Sequence, residues 1–148
     1  MKKFLLLSLV STILLSITFA DSIGYIDSAL ILKQYNKAIT AQNDLSKKQK
    51  EFQDEVIAKQ QELEKAKTSS KNEEELTQLK DSYEESLRPK KEELIALNQK
   101  LSSEIEKDII DTAKKVAKQL KVDVVLDKQV VLAGGLDLTS LVLSSLNK

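Results

Sequence analysis

Between Lys67 and Glu75 the chain carries no apolar residue, and this gap separates two stretches whose apolar residues recur at helical spacing. After the gap the stripe runs Leu76, Leu79, Tyr83, Leu87, Leu94, Leu97, Leu101, Ile105, Ile109, Ala113, Val116 and Leu120. With Lys90 filling one place, its steps are threes and fours averaging about 3.7 residues. That spacing predicts an amphipathic helix with a narrow, nearly straight seam. Before the gap the stripe is Ala38, Leu45, Phe52, Val56, Leu63 and Ala66, interrupted by Lys48 and Lys59. This arm is the weaker of the two.

Either one long helix crosses the gap or the chain reverses there. Ser70-Lys71-Asn72-Glu73 fits the capping box S-x-x-E, a helix start signal. Thr68, Ser69, Ser70 and Asn72 compete for backbone hydrogen bonds and disfavour a helix interior. The residues therefore predict a turn at 68–72 and two antiparallel helices. With the tip between Ser70 and Lys71, residue i faces about 141 − i. Leu63 then meets Leu76–Leu79, Val56 falls between Tyr83 and Leu87, Leu45 meets Leu94–Leu97, and Ala38 meets Leu101–Ile105. A continuous helix needs no such match. Arms of roughly 30 to 45 residues extend about 45–70 Å. Pro89 removes one hydrogen bond and crowds the Glu85 carbonyl, so a kink is expected, either passive or a hinge.

The flanks read differently. "SIGYID" alternates Ile23 and Tyr25 against Gly24 and Ile26, and "VDVVLD" puts Val122, Val124 and Leu126 on one face. "VVLA" (Val130–Ala133) suits a strand buried on both sides, joined to the previous one by a tight turn at Asp127-Lys128-Gln129. "LDLTSLVLSSLN" suits a short helix capped by Asp137 or Thr139. The expected fold is α+β and mostly α: a long helical hairpin over 36–120 on a small body of three short strands, 21–35 and 121–148. Three strands and a few helical turns cannot bury their apolar surface alone. Copies of the chain are expected to assemble through that end, covering the edge left by "VVLA".

The first twenty residues are read as a cleavable leader. Lys2 and Lys3 precede an apolar run, and Thr18 and Ala20 occupy small-residue cleavage positions. Removing the leader leaves 21 basic against 23 acidic residues, a formal charge of −2. Such a balance gives no general electrostatic drive toward nucleic acid. The chain has no Cys and no His, which excludes thiolate and imidazole chemistry and ordinary zinc sites. Glu73, Glu74 and Glu75 suit a solvated helix start rather than carboxylate catalysis. No nucleophile–base pair or phosphate loop is present, so an enzyme is not expected and no cofactor is implied.

The leader, "IGYIDSALIL", the charged hairpin, "VDVVLD" and the ending "LDLTSLVLSSLN" together resemble the Skp (OmpH-like) family of periplasmic chaperones. The resemblance implies a homotrimer in which strands of three subunits build a small barrel. Hairpin arms then enclose a cavity that holds unfolded outer-membrane proteins in the periplasm without ATP. Carried onto this chain, it gives body strands at Ile23–Asp27, Val122–Asp127 and Val130–Ala133. It makes Ile23, Tyr25, Ile26, Val124, Leu126, Val130 and Leu132 the interface. Phe52, Ile57, Tyr83, Ile95 and Ile110, on or beside the seam, are the expected client contacts. Arg88, Lys90 and Lys91 are the nearest candidates for contact with anionic lipid. The near-neutral charge departs from the basic character common in that family. A structural coiled-coil protein of the envelope is the alternative; it would bind a folded partner and fail to retain denatured porin.

Overall fold

The computed structural model describes residues 22–69 and 72–148. The expected leader lies outside these residues, as do Ser70 and Lys71 of the expected tip. The order is β1 (Ile23–Ile26), α1 (Ser28–Gln34), α2 (Asn36–Thr68), α3 (Glu73–Leu120), β2 (Val124–Asp127), β3 (Leu136–Asp137) and α4 (Thr139–Leu146). A 3-10 turn at Lys128–Val130 comes directly after β2. The protein is α+β and mostly helical, as its patterning predicts.

Helices α2 and α3 lie antiparallel, and the side chains that meet across them fix the register. Lys37–Glu104 and Lys48–Glu93 have numbers totalling 141. Glu55–Lys90 and Glu62–Tyr83 total 145. The facing rule drawn from the apolar stripes thus holds to within a few residues along the hairpin, with Lys37–Asp108 at the root also totalling 145. The start of α3 needs a correction: its cap is Asn72, whose side-chain oxygen accepts the Glu75 N–H at 2.8 Å, rather than Ser70. Asparagine caps as well as serine, and this choice puts three glutamates in the first turn, where the helix dipole favours them. The helix continues through Pro89 to Leu120. It ends with Lys121 in the left-handed region, φ 56°, where the Val122 N–H closes on the Ala117 carbonyl at 2.9 Å.

The sheet has the order β2-β1-β3, with both neighbours parallel to β1. Ile23 pairs with Val124 and Tyr25 with Leu126 on one side, while Gly24 pairs with Leu136 on the other. Parallel neighbours require a crossover connection, and here the whole hairpin is the crossover from β1 to β2. Two strand expectations fail. Val122 is not part of β2; it is buried beside Gly24 and the end of α3. Val130–Ala133 is not a strand, and no hairpin turn precedes it. Asp127-Lys128-Gln129 lacks the glycine or asparagine that a two-residue hairpin favours. Instead Asp127 accepts the Gln129 N–H at 2.9 Å and the chain winds into the 3-10 turn. Gly134 and Gly135, at φ 79° and 88°, then steer the chain to the far edge of β1.

The core gathers where the inner sheet face, α1, α4 and the hairpin root meet. Ile31, Leu138 and Val142 have 0% exposure, surrounded by Tyr35, Ala38, Ile109, Ala113, Val116, Ala117 and Val122. A Cβ on Gly24 would lie 2.9 Å from Leu138 Cδ1 and 3.1 Å from Val122 Cγ1, so glycine lets β1 approach this core without displacing those side chains.

Candidate functional site

Each strand runs into an aspartate whose side chain accepts a backbone N–H of the turn that follows; Asp27 and Asp127 are N-caps, whereas the N-cap of α4 is Leu138, between the Asp137 and Thr139 expected for it. Asp27 accepts the Leu30 N–H at 2.9 Å, Asp127 the Gln129 N–H, and Asp137 the Thr139 N–H at 2.9 Å. All three are held below the ordinary carboxylate range. The Leu30 amide leads at Asp27, with Lys128 second; the Ser28 hydroxyl leads at Asp127, and the Thr139 hydroxyl at Asp137. These groups are committed as hydrogen-bond acceptors at helix starts, not poised for proton transfer. Glu73, Glu74 and Glu75 are exposed in the first turn of α3. Among the described residues, no cluster of His, Cys, Asp and Glu could hold a metal ion. Two apolar surfaces stand out.

The outer sheet face is the first. Parallel register sets Ile23 beside Val124 and Tyr25 beside Leu126, all on the side away from the core. Ile23, Val124 and Leu126 are exposed there, and Val130 and Leu132 stand out from the segment after β2, Leu132 completely. Tyr25 is half-buried against Gly135. Ile26 departs from the set predicted with it, because it lies on the inner face and packs against the core.

A groove of about 740 Å³ between the body and the hairpin root is the second. Leu32, Ile39, Leu45, Leu101, Ile105 and Ile110 supply apolar wall, with Gln42, Asn43 and Asn98 as uncharged polar neighbours. Ile110 is exposed and also borders a groove of similar volume beside β2. Of the predicted client contacts, only Ile110 belongs to this root region.

The other four lie along the span of the hairpin. Ile57 and Ile95 are exposed, while Phe52 and Tyr83 are half-buried in the seam. Tyr83 is a cross-tie: its hydroxyl donates to Glu62 Oε2 at 2.7 Å, and Lys59 Nζ stands 4.5 Å from its ring centroid. That hydroxyl, with Lys59 second, holds the Glu62 carboxyl low, and Glu62 in turn pushes the phenol up. Arg88 and Lys91 are exposed, but Lys90 is paired with Glu55 across the hairpin. The three basic residues are thus not three free cations.

Two clasps at the root were not anticipated. Asp108 Oδ2 accepts from the Tyr35 hydroxyl at 3.0 Å and from Lys37 Nζ at 2.7 Å. Lys37 first and Tyr35 second hold the Asp108 carboxyl low; burial first and Asp108 second push the Tyr35 phenol up. Asn147 accepts the Asn36 N–H at 2.9 Å and donates to the Gln34 carbonyl at 2.8 Å, tying the chain's last turn to the α1–α2 joint. Tyr35, a lone aromatic between two helices, offered a signal for the first clasp. An asparagine one residue from the end offers none for the second.

A family model described as Outer membrane protein (OmpH-like) matches residues 22–146. No curated protein matches the chain.

Proposed function

The chain belongs to the OmpH-like family of outer membrane proteins, and from that premise we propose that it is an ATP-independent holdase of the periplasm. It binds unfolded outer-membrane proteins between helical arms and keeps them from aggregating before insertion. The observation that carries this reading is the apolar surface left open on a highly charged hairpin: the root groove, with Ile57, Ile95 and Ile110 exposed. An unfolded membrane protein presents apolar, strand-forming segments that aggregate on contact with one another. Many weak contacts on such a surface retain a client through effective concentration, without a tight site.

The outer sheet face supplies the assembly side of the proposal. Ile23, Tyr25, Val124, Leu126, Val130 and Leu132 pack against other copies in a homotrimer, with residues 21–35 and 121–148 as its body. Residues 36–120 form the arms, with the tip at 68–72. The leader directs export and is removed after Ala20. Arg88 and Lys91 are the groups available to anionic lipid, a weaker contact than three unpaired cations would make.

The test is dilution of urea-unfolded porin into buffer containing residues 21–148 and no nucleotide. Light scattering should stay near baseline when the chain is present. A porin that aggregates on the same time course with and without it rejects the holdase reading. Scattering mass of the free protein tests assembly: three copies are expected, and a stable single subunit would remove the trimer.

A further inference from the structure

Burial is distributed unevenly along the hairpin. Among the described residues from 46 to 108, only Ala66 is buried. Phe52, Val56 and Leu63, with Leu76, Leu79, Tyr83 and Leu87 opposite, are only half-buried although they form the seam. Three seam positions are lysines that turn to an acid: Lys48 to Glu93 at 3.3 Å, Lys59 to Glu62 at 3.4 Å, and Lys90 to Glu55. At the root the same two helices contribute Ala38, Ala41, Leu45, Ile109, Ala113, Val116 and Ala117 to buried positions, and the Asp108 clasp closes over them.

We infer that the helices part along the span between Leu45 and Ala66, and that the seam itself is then the client-binding surface. An exposed ion pair contributes little, and a half-buried leucine contributes a fraction of what a buried one does. The span therefore sits at the low-stability end of the molecule, the end from which local opening is drawn. Parting exposes Phe52, Val56 and Leu63 facing Leu79 and Leu87. An apolar segment of an unfolded membrane protein replaces the contacts these residues lose, so closed and client-bound spans differ by little. The lysines keep the seam from becoming a sealed core, and the packed root and the turn prevent the helices from separating altogether. This inference rests on the holdase reading for the identity of the client, but not for the opening.

Because the chain lacks cysteine, bridges can be placed at will. E55C/K90C joins the span at its middle and K37C/E104C joins the root; each is compared before and after coupling with a short bismaleimide. Bridging the span should abolish most of the suppression of porin aggregation, and bridging the root should leave it unchanged. Equal suppression before and after bridging at 55/90 overturns the inference. Hydrogen exchange on the client-free, unbridged chain reads the opening separately. Amides of 50–64 and 76–92 should exchange on the order of tenfold or more faster than those of 36–45 and 101–116. Equal protection overturns the opening even where the chain holds porin. Faster exchange in a chain that fails to suppress aggregation keeps the opening and rejects the holdase reading alone.

Discussion

The root and the span of the hairpin are built from the same two helices and much the same residue types, yet only the root is a core. At the root α2 and α3 do not rely on each other alone. They pack against α1, α4 and the inner face of the sheet, so Tyr35, Ile109, Val116 and Val142 are covered from several sides. In the span each helix has one partner, and one partner shields only one side of a seam residue. A helical stripe states which residues want burial; the number of neighbouring elements decides how much of it they receive.

The largest effect that sharpens this contrast is expected from Leu138→Ala. Leu138 has 0% exposure and touches the space that Gly24 leaves free. Its loss should cost about 2–5 kcal/mol and lower the thermal midpoint by several degrees. Leu87→Ala in the span, half-buried from the start, should cost about 1 kcal/mol or less by the lost area. Thermal unfolding monitored by circular dichroism compares the two directly. Equal losses would mean that the span is as much a core as the root.

Next in size is overpacking at Gly24. Gly24→Val sets a branched side chain against Leu138 and Val122 at less than ordinary contact distance. A loss of about 1–3 kcal/mol is expected, with little change in helix content because the span does not feel the site. A fall in helicity at low temperature would couple the two regions that burial separates.

These residues also mark what the sequence could and could not convey. The hairpin was legible because period and gap are local signals repeated over many turns, and the match of Leu45 with Leu94–Leu97 is an internal check. Burial was less legible: Phe52 and Tyr83 satisfy the same spacing as Ile109 and Val116, but spacing carries no count of neighbours. The sheet was half legible. β1 and β2 appear as alternation, but their pairing spans about a hundred residues of chain and leaves no local trace. "VVLA" has the composition of a strand, whereas β3 is two residues long, below any periodicity. One local signal does mark the strand ends. Ile26-Asp27, Leu126-Asp127 and Leu136-Asp137 repeat an aliphatic–aspartate step at a strand end, and each carboxylate accepts a backbone N–H of the turn that follows.

The third of those aspartates, one residue before the N-cap Leu138, provides an intermediate prediction. Asp137→Ala removes the acceptor for the Thr139 N–H at the start of α4, the helix that carries Val142 into the core. The expected cost is about 0.5–2 kcal/mol, and Asp137→Asn should recover most of it by keeping the acceptor. Thermal midpoints of the two variants decide between a lost acceptor and a lost charge.

The root clasp predicts a pH dependence at the root, as the Glu62–Tyr83 tie does in the span. Asp108 is held below its ordinary 3.8 by Lys37 and then Tyr35. Its contribution is complete above the unfolded value and is lost as pH falls below it through the folded value. Tyr35 is raised above 10.0 and Lys37 above 10.5. Their contributions are complete below those values and are lost as pH rises through the folded ones. The clasp should therefore stabilise the root between roughly pH 4 and 10 and weaken at both edges. Asp108→Asn should flatten both edges of the stability profile. An unchanged profile would show that the clasp adds nothing beyond the packing beneath it.

The smallest effect is expected in the span, where Lys48 meets Glu93 with both side chains about half or more exposed. Lys48→Ala should change global stability by no more than about 1 kcal/mol, because an exposed pair gains little over hydration and costs side-chain freedom. Salt should matter as little, since an exposed pair gains little Coulomb energy in water to begin with. Lys48→Leu is the more informative change, because it fills a seam position with an apolar side chain beside Phe52 and Leu94. It should stabilise the hairpin and slow exchange of the amides around it. If Lys48→Leu destabilises, the lysine's methylene stem already packs as well as leucine would, and the span is tighter than its ion pairs suggest. If it stabilises, the lysines hold the seam short of a core, and the contrast between root and span is written into three residues.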